Sequence, residues 1–319
     1  KFGINESYTL DMTMVPDFGQ VQSDNEIYNL SPFEVYYDER RPFFMEGTEL
    51  FNKGNVFYSR RVGETPSGYG SVADSLADQE EIASNPQYAQ LINATKISGK
   101  SRGKLAVGMF NGMTANTWAE VKDTLSGDQR RVKTEPFTNY NMLVVDQALK
   151  NNSYFSLYNT NVYQPDKSFA ANVTGSELKL TTRSNAFAVW GQGIVSQKYL
   201  QGVNPEFGYL YSIVAGKISG SFTFELSHDV IDDKYDPNDM GYLRHNNVFS
   251  QSLRLSYNVY KPAWIFLDSY NSFWFNHVQL YNPRTFTEFS MGFRSRNTFS
   301  TFLTVWINGS FMPVDKPDY

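Results

Sequence analysis

Apolar and polar residues alternate along most of the chain. Between 248 and 259, Phe249, Leu253, Leu255, Tyr257 and Val259 interleave with Ser250, Ser252, Arg254, Ser256 and Asn258. Between 219 and 227, Phe222, Phe224 and Leu226 interleave with Ser221, Thr223, Glu225 and Ser227. Further on, Phe299, Thr301, Leu303, Val305 and Ile307 take one parity. Ser300, Thr304, Asn308 and Ser310 take the other, with Phe302 and Trp306 as exceptions. A period of two puts each parity on its own face of a β-strand. Other strands are expected at 8–15, 89–98, 104–115, 140–148, 154–163, 176–195, 209–217, 264–276 and 288–294. Turn signals stand at 98–103, 215–220 and 294–297, and longer polar links at 116–135 and 229–247. The small, acidic stretch 64–85 reads as a mobile loop.

Alternation alone suits a two-layer sandwich as well as a barrel. The polar parity is rich in Ser, Thr, Asn and Gly and poor in Lys and Glu, which fits a packed or water-lined lumen better than an open solvent face. The fold expected is all-β, an antiparallel transmembrane β-barrel. Residues 1–319 then form a single domain that supplies about 10–14 strands of about 9–11 residues to a larger barrel. Short turns on one side and long links on the other match the outer-membrane arrangement.

Composition strengthens this reading. The chain carries 25 Phe, 21 Tyr and 5 Trp, yet its mean hydropathy is −0.44. Aromatic girdles around a polar lumen reconcile the two. No run approaches the roughly 18–20 apolar residues of a membrane-spanning helix. Net charge is −5 with no basic excess, so nucleic acid is not an expected partner. Cysteine is absent, which excludes disulfides and thiolate chemistry. Both ends are expected to be cut: the start at Lys1-Phe2-Gly3-Ile4 has no signal-peptide pattern, and Pro317-Asp318-Tyr319 follows no terminal strand.

One block, 15–63, is more specific than the alternation and is expected to hold the first strands and a turn. It reads Val15-Pro16-Asp17-Phe18-Gly19-Gln20-Val21-Gln22-Ser23-Asp24, then Tyr28-Asn29-Leu30-Ser31-Pro32-Phe33-Glu34. It continues Asp38-Glu39-Arg40-Arg41-Pro42-Phe43-Phe44-Met45-Glu46-Gly47 and Phe57-Tyr58-Ser59-Arg60-Arg61-Val62-Gly63. This resembles a bacterial outer-membrane β-barrel family of no settled activity, whose members often carry a family-9-like carbohydrate-binding domain before the barrel. Ala94-Thr95-Lys96-Ile97-Ser98-Gly99-Lys100 and Tyr235-Asp236-Pro237-Asn238-Asp239-Met240-Gly241-Tyr242 resemble later parts of the same pattern. Departures are conservative: Gln22-Ser23 replaces the usual Glu-Ala, and Met45 a Leu. The resemblance implies the outer membrane of a Gram-negative bacterium, with outer-membrane lipid and other outer-membrane or periplasmic proteins as partners. Carbohydrate contact is implied only through that amino-terminal domain, which residues 1–319 are not expected to include.

Two constellations carry candidate chemistry. Arg40, Arg41, Arg60 and Arg61 are expected to face the lumen and to pair with Asp17, Glu34 or Glu46, because the guanidinium fork matches carboxylates in partly desolvated sites. The alternative is a structural turn that pins the first strands. Asp232, Asp233, Asp236, Asn238 and Asp239 offer oxygens to calcium, which takes about six to eight. Their spacing is not that of an EF-hand, and Asx-turns explain them as well. His228, His245 and His277 are too scattered for a zinc site, and no nucleophile or phosphate-loop signature stands in suitable context, so no cofactor and no catalysis are expected. The function expected is a transport channel or a structural component of an outer-membrane complex. The alternative is a soluble β-rich carbohydrate-binding module in which Trp118 and Trp190 stack on sugars.

Overall fold

The computed structural model describes residues 1–15 and 28–314. Fourteen strands form one antiparallel sheet. In chain order its early members are β1 (Phe2–Gly3) and β2 (Tyr8–Met14). A separate strand, β3 (Glu80–Ser84), precedes β4 (Leu91–Lys100) and β5 (Leu105–Thr114). The hairpin β6 (Thr117–Asp123) and β7 (Gln129–Glu135) pairs with β3 in a small second sheet. The large sheet resumes with β8 (Thr138–Ala148), β9 (Tyr154–Gln164), β10 (Phe169–Thr181), β11 (Phe187–Leu200) and β12 (Glu206–Lys217). It ends with β13 (Phe222–Ile231), β14 (Val248–Val259), β15 (Phe266–Leu280), β16 (Thr285–Phe299) and β17 (Thr304–Phe311). Successive strands are neighbours, apart from the two insertions that carry β3 and β6–β7. β1 and β17 form the two edges, and no pairing joins them among the described residues.

The alternation places most strands well, and the differences have physical causes. Residues 294–297 lie inside β16 rather than in a turn, and the chain reverses at 300–303. Arg294 and Arg296 face one side while Ser295 and Asn297 face the other, so both parities are polar and the strand signal vanishes. The expected run 176–195 is two strands, reversing at 182–186, where Asn185 takes a positive φ of 53°. The expected link 116–135 holds β6 and β7, whose Lys, Arg and Glu residues disguise a solvent-facing hairpin. Residues 64–85 include a 3-10 segment, Gly70–Ser75, and β3. The described part of the 15–63 block, residues 15 and 28–63, supplies no strand and holds only the one-turn α1 (Pro42–Met45) and a 3-10 turn at Ser59–Arg61. Pro42, at the helix start, lacks the N–H a sheet ladder needs. Among the described residues no helix is long and apolar enough to cross a membrane.

This irregular segment lies on one face of the sheet. Phe44, Phe51, Val56 and Val62 bury themselves with Ala94, Phe110, Tyr140, Met142, Val144, Tyr158, Val173 and Ile194 of the strands β4, β5 and β8 to β11. The covered parity is correspondingly small or apolar. A Cβ on Gly108 would stand 2.9 Å from Leu50, and one on Gly112 3.1 Å from Val62, so glycine there lets the segment approach the sheet. Along the same face of β12 to β17 the residues turn polar: Ser212, Asp229, Ser227, Ser252, Arg254 and Ser272 share it through direct cross-strand pairing.

The opposite face is bare and apolar. Leu143, Leu157, Val189, Ile213, Leu226, Phe273 and Ile307 each leave 45% to 55% of their surface exposed. One sector of it is polar. Asn111 donates to Asn139 and Asn141 at 2.7 and 2.8 Å, and Asn159 to Asn172 and Thr174 at 3.1 and 2.8 Å.

Candidate functional site: the inserted segment and its charged contacts

Among the described residues, three ion clusters hold the segment, besides the Lys1–Glu46 pair. Arg41 forks onto Glu39, with Nε to Oε1 at 2.9 Å and Nη2 to Oε2 at 2.8 Å. The same guanidinium donates to the carbonyls of Val62 at 2.7 Å and Ser59 at 2.6 Å, and lies 4.2 Å from the Phe44 ring centre. Ser59 Oγ donates to Glu39 at 2.6 Å. Burial pushes the Glu39 carboxyl up, but the hydrogen bonds and charge of Arg41, with help from Ser59, outweigh it and hold the group below the usual carboxylate range.

Arg61 forms the second cluster. It donates to Glu34 at 2.6 Å, to Glu64 at 3.2 Å and to the Gly241 carbonyl at 3.2 Å. The loop after β13 thereby clasps the segment. Tyr58 N–H donates to Met240 O at 2.7 Å, Tyr242 N–H to Asn55 O at 3.0 Å, and Tyr242 Oη to Glu34 O at 2.8 Å. Tyr36, Tyr58 and Tyr242 close this contact as an aromatic trio with centroids 4.9–5.5 Å apart.

The third cluster joins the segment to the strands. Lys53 Nζ reaches Asp146 of β8 at 3.0 Å, Ser156 of β9 at 3.1 Å and Glu177 of β10 at 3.4 Å. Burial draws the Lys53 ammonium down, yet Asp146 and Glu177 together raise it above its ordinary value. Its charge is therefore secure at neutral pH. A Lys53→Met variant leaves the two carboxylates facing each other without a cation. We expect it to loosen the segment by about 1.5–3 kcal/mol, measured as a lower denaturant midpoint. Adding Asp146→Asn and Glu177→Gln should recover most of the loss. Equal midpoints for the single and triple variants would show that Lys53 acts through packing alone.

Part of the expected arginine network lies within the described residues. Arg41 and Arg61 are largely shielded, with side chains 11% and 10% exposed. Arg61 finds Glu34 as expected, whereas Arg41 takes Glu39 rather than Glu34 or Glu46. Glu46 pairs with Lys1 at 3.1 Å instead. Arg60 donates to the Asp38 carbonyl, and the half-buried Arg40 uses its backbone N–H toward Glu39. Asp17 lies outside the described residues. Glu39, Ser59 and Glu64 are near Arg41 and Arg61 in sequence and could have been found there. Lys53 carries no local signal, because its partners stand 93 and 124 positions away.

The five calcium candidates do not converge. Asp236 and Asp239 both bind Lys198, at 2.6 and 2.8 Å, so an ammonium supplies the positive charge. Asp232 accepts from Lys234 N–H at 3.1 Å, and Asn238 from Leu243 N–H at 2.6 Å, both inside the loop. Asp233 accepts from Asn282 at 2.9 Å. Among the described residues no three acidic or histidine side chains gather closely enough to hold a metal. Trp118 and Trp190 lie in different sheets, on β6 and β11. A family described as a domain of unknown function, DUF5916, matches residues 1–319. No curated protein and no solved structure matches the chain.

Proposed function

The chain belongs to the DUF5916 family, and we propose that its fourteen-stranded sheet is the wall of a bacterial outer-membrane β-barrel that works as a plugged transport channel. The observation that carries this is the division of the two faces. One is bare and apolar over many strands, and the other is filled by the chain's own segment or lined with polar groups. Water penalises the first face and lipid accepts it. Aromatic residues cluster toward both ends of the bare face. Tyr163, Tyr199 and Phe207 stand at one end, and Phe187, Phe222 and Tyr257 at the other, as interfacial girdles do.

The strand stagger agrees. The row of direct partners that crosses β9 at Tyr158 passes through Gly175, Ile194, Leu210, Ile231 and Val248 to Leu280, the last residue of β15. Such a drift is the shear that lets tilted strands curl. The links fit as well. Residues 101–104, 149–153, 182–186, 218–221, 260–265 and 300–303 make tight reversals at one end, while 115–137 and 232–247 are long and emerge at the other, beside the tight reversals 165–168, 201–205 and 281–284.

In this reading outer-membrane lipid is the partner of the bare face, and the 29–63 segment occupies part of the lumen. The scaffold reading draws support from the tightness of that packing. The test is purification of the full chain. Strand-rich circular dichroism in detergent, slower migration of the heated sample in gels, and aggregation once detergent is removed are the expected results. A monodisperse monomer in plain buffer would overturn the proposal. Ion conductance in planar bilayers would then separate channel from scaffold.

A further inference from the structure

The segment covers only part of its face, and the uncovered wall at β14 to β17 has a composition of its own. A groove of about 610 Å³ runs along it. Ser256, Ser272, Arg294 and Asn308 form one cross-strand row, and Asn258, Tyr270, Arg296 and Trp306 the next. Arg296 is engaged: it reaches Asp268 at 3.0 Å and lies 4.8 Å from the centre of the Tyr270 ring. Asp268 also accepts from Thr298 at 3.1 Å, so this carboxylate is held by its neighbours. Arg294 has no acidic partner within ion-pair distance among the described residues and is exposed to the groove. Arg254 stands on the adjacent row, opposite Glu225, and is likewise exposed. Trp306, 72% exposed, offers a flat apolar surface beside them.

We propose that this wall binds a small organic anion, with its carboxylate or phosphate on Arg294 and its carbon body against Trp306. The inference rests on the barrel reading, which makes this wall the open side of the lumen. An unpaired guanidinium presents a planar fork to an oxyanion. The Asn308 amide and the Ser272 hydroxyl, on the same row, can donate to the oxygens the fork leaves free. A neighbouring aromatic face adds contact with a ring or carbon chain without choosing among polar substituents. Asp268 is neutralised by Arg296, and Glu225 stands opposite Arg254, so Arg294 leaves a local positive excess.

Two measurements test the site, and they separate its failure from failure of the channel reading. The first is the chloride-to-potassium permeability ratio of the full chain in planar bilayers under a salt gradient near 0.1 M, where screening acts over about 10 Å. The ratio is expected to exceed unity, and to fall severalfold in Arg294→Gln and less in Arg294→Lys. The exposed hairpin variant Arg102→Gln should leave it unchanged. The second is titration of detergent-solubilised protein with sodium glucuronate, read as heat. Wild type should bind, and Arg294→Gln and Trp306→Ala should lose binding while keeping heat-modifiable migration. Absence of conductance with glucuronate binding intact would sink the channel and leave the site standing. Glucuronate binding absent from wild type, or undiminished in Arg294→Gln, would overturn the site whatever the conductance.

Discussion

Replacing Phe51 by alanine is expected to release the 41–62 segment from the sheet. Phe51 is 1% exposed and packs on Phe57 and against the glycine gap at Gly108. Removing a buried phenylalanine ring costs about 3–5 kcal/mol, because both burial and packing contacts are lost. The sheet's ladders do not depend on this ring, so the loss should appear as local opening rather than global unfolding. Limited trypsin digestion in detergent reads it directly. Cleavage after Lys53, Arg60 and Arg61 should accelerate sharply while the strand circular dichroism stays unchanged. Protection equal to wild type would mean that the three ion clusters hold the segment without its aromatic core.

The second large effect concerns Arg41. An Arg41→Met variant leaves Glu39 shielded without its cation and the Val62 carbonyl without its donor, while Ser59 O keeps the Val62 N–H. Breaking a buried pair from one side costs about 3–5 kcal/mol. The Glu39→Gln variant should cost less, since no uncompensated charge remains. The same pair predicts a pH dependence. The folded Glu39 carboxyl sits below the ordinary range. The unfolded chain therefore takes up its proton first, near pH 4.3. The stabilisation is complete above that value and falls away as pH drops through the folded value. Denaturant midpoints between about pH 6 and pH 3 should fall less steeply for Glu39→Gln than for wild type. Parallel curves would remove Glu39 from the account of acid sensitivity.

The sequence declared most of the strands in which one parity is apolar. β13 and β14 are the clearest cases. It was silent where both parities were polar, as across Arg294 to Asn297, and misleading where charged residues formed the β6–β7 hairpin. The 15–63 block was visible as a motif, but its role was not. A motif records side-chain identity, whereas the packing of Phe44, Phe51 and Val62 depends on Phe110, Tyr158 and Ile194, which no local pattern connects to them. Of the expected arginine pairs, Arg61 with Glu34 is present, and Arg41 also engages Glu39, a carboxylate two positions away that the motif did not single out. The Lys53 cluster needed the sheet register to bring β8, β9 and β10 side by side.

The position of the segment in the chain has a consequence for synthesis. Phe44, Phe51 and Val62 leave the ribosome before β5, β8 to β11 and Met240, the elements that bury them. The Tyr242–Glu34 tie spans 208 positions and the Arg61–Gly241 tie 180. Contacts so distant form late, after the intervening hairpins have closed. Until then an aromatic stretch waits without a surface to cover it, a state prone to aggregate. The topology thus places a demand on the early residues: they must stay apart from one another until the strands that cover them have formed.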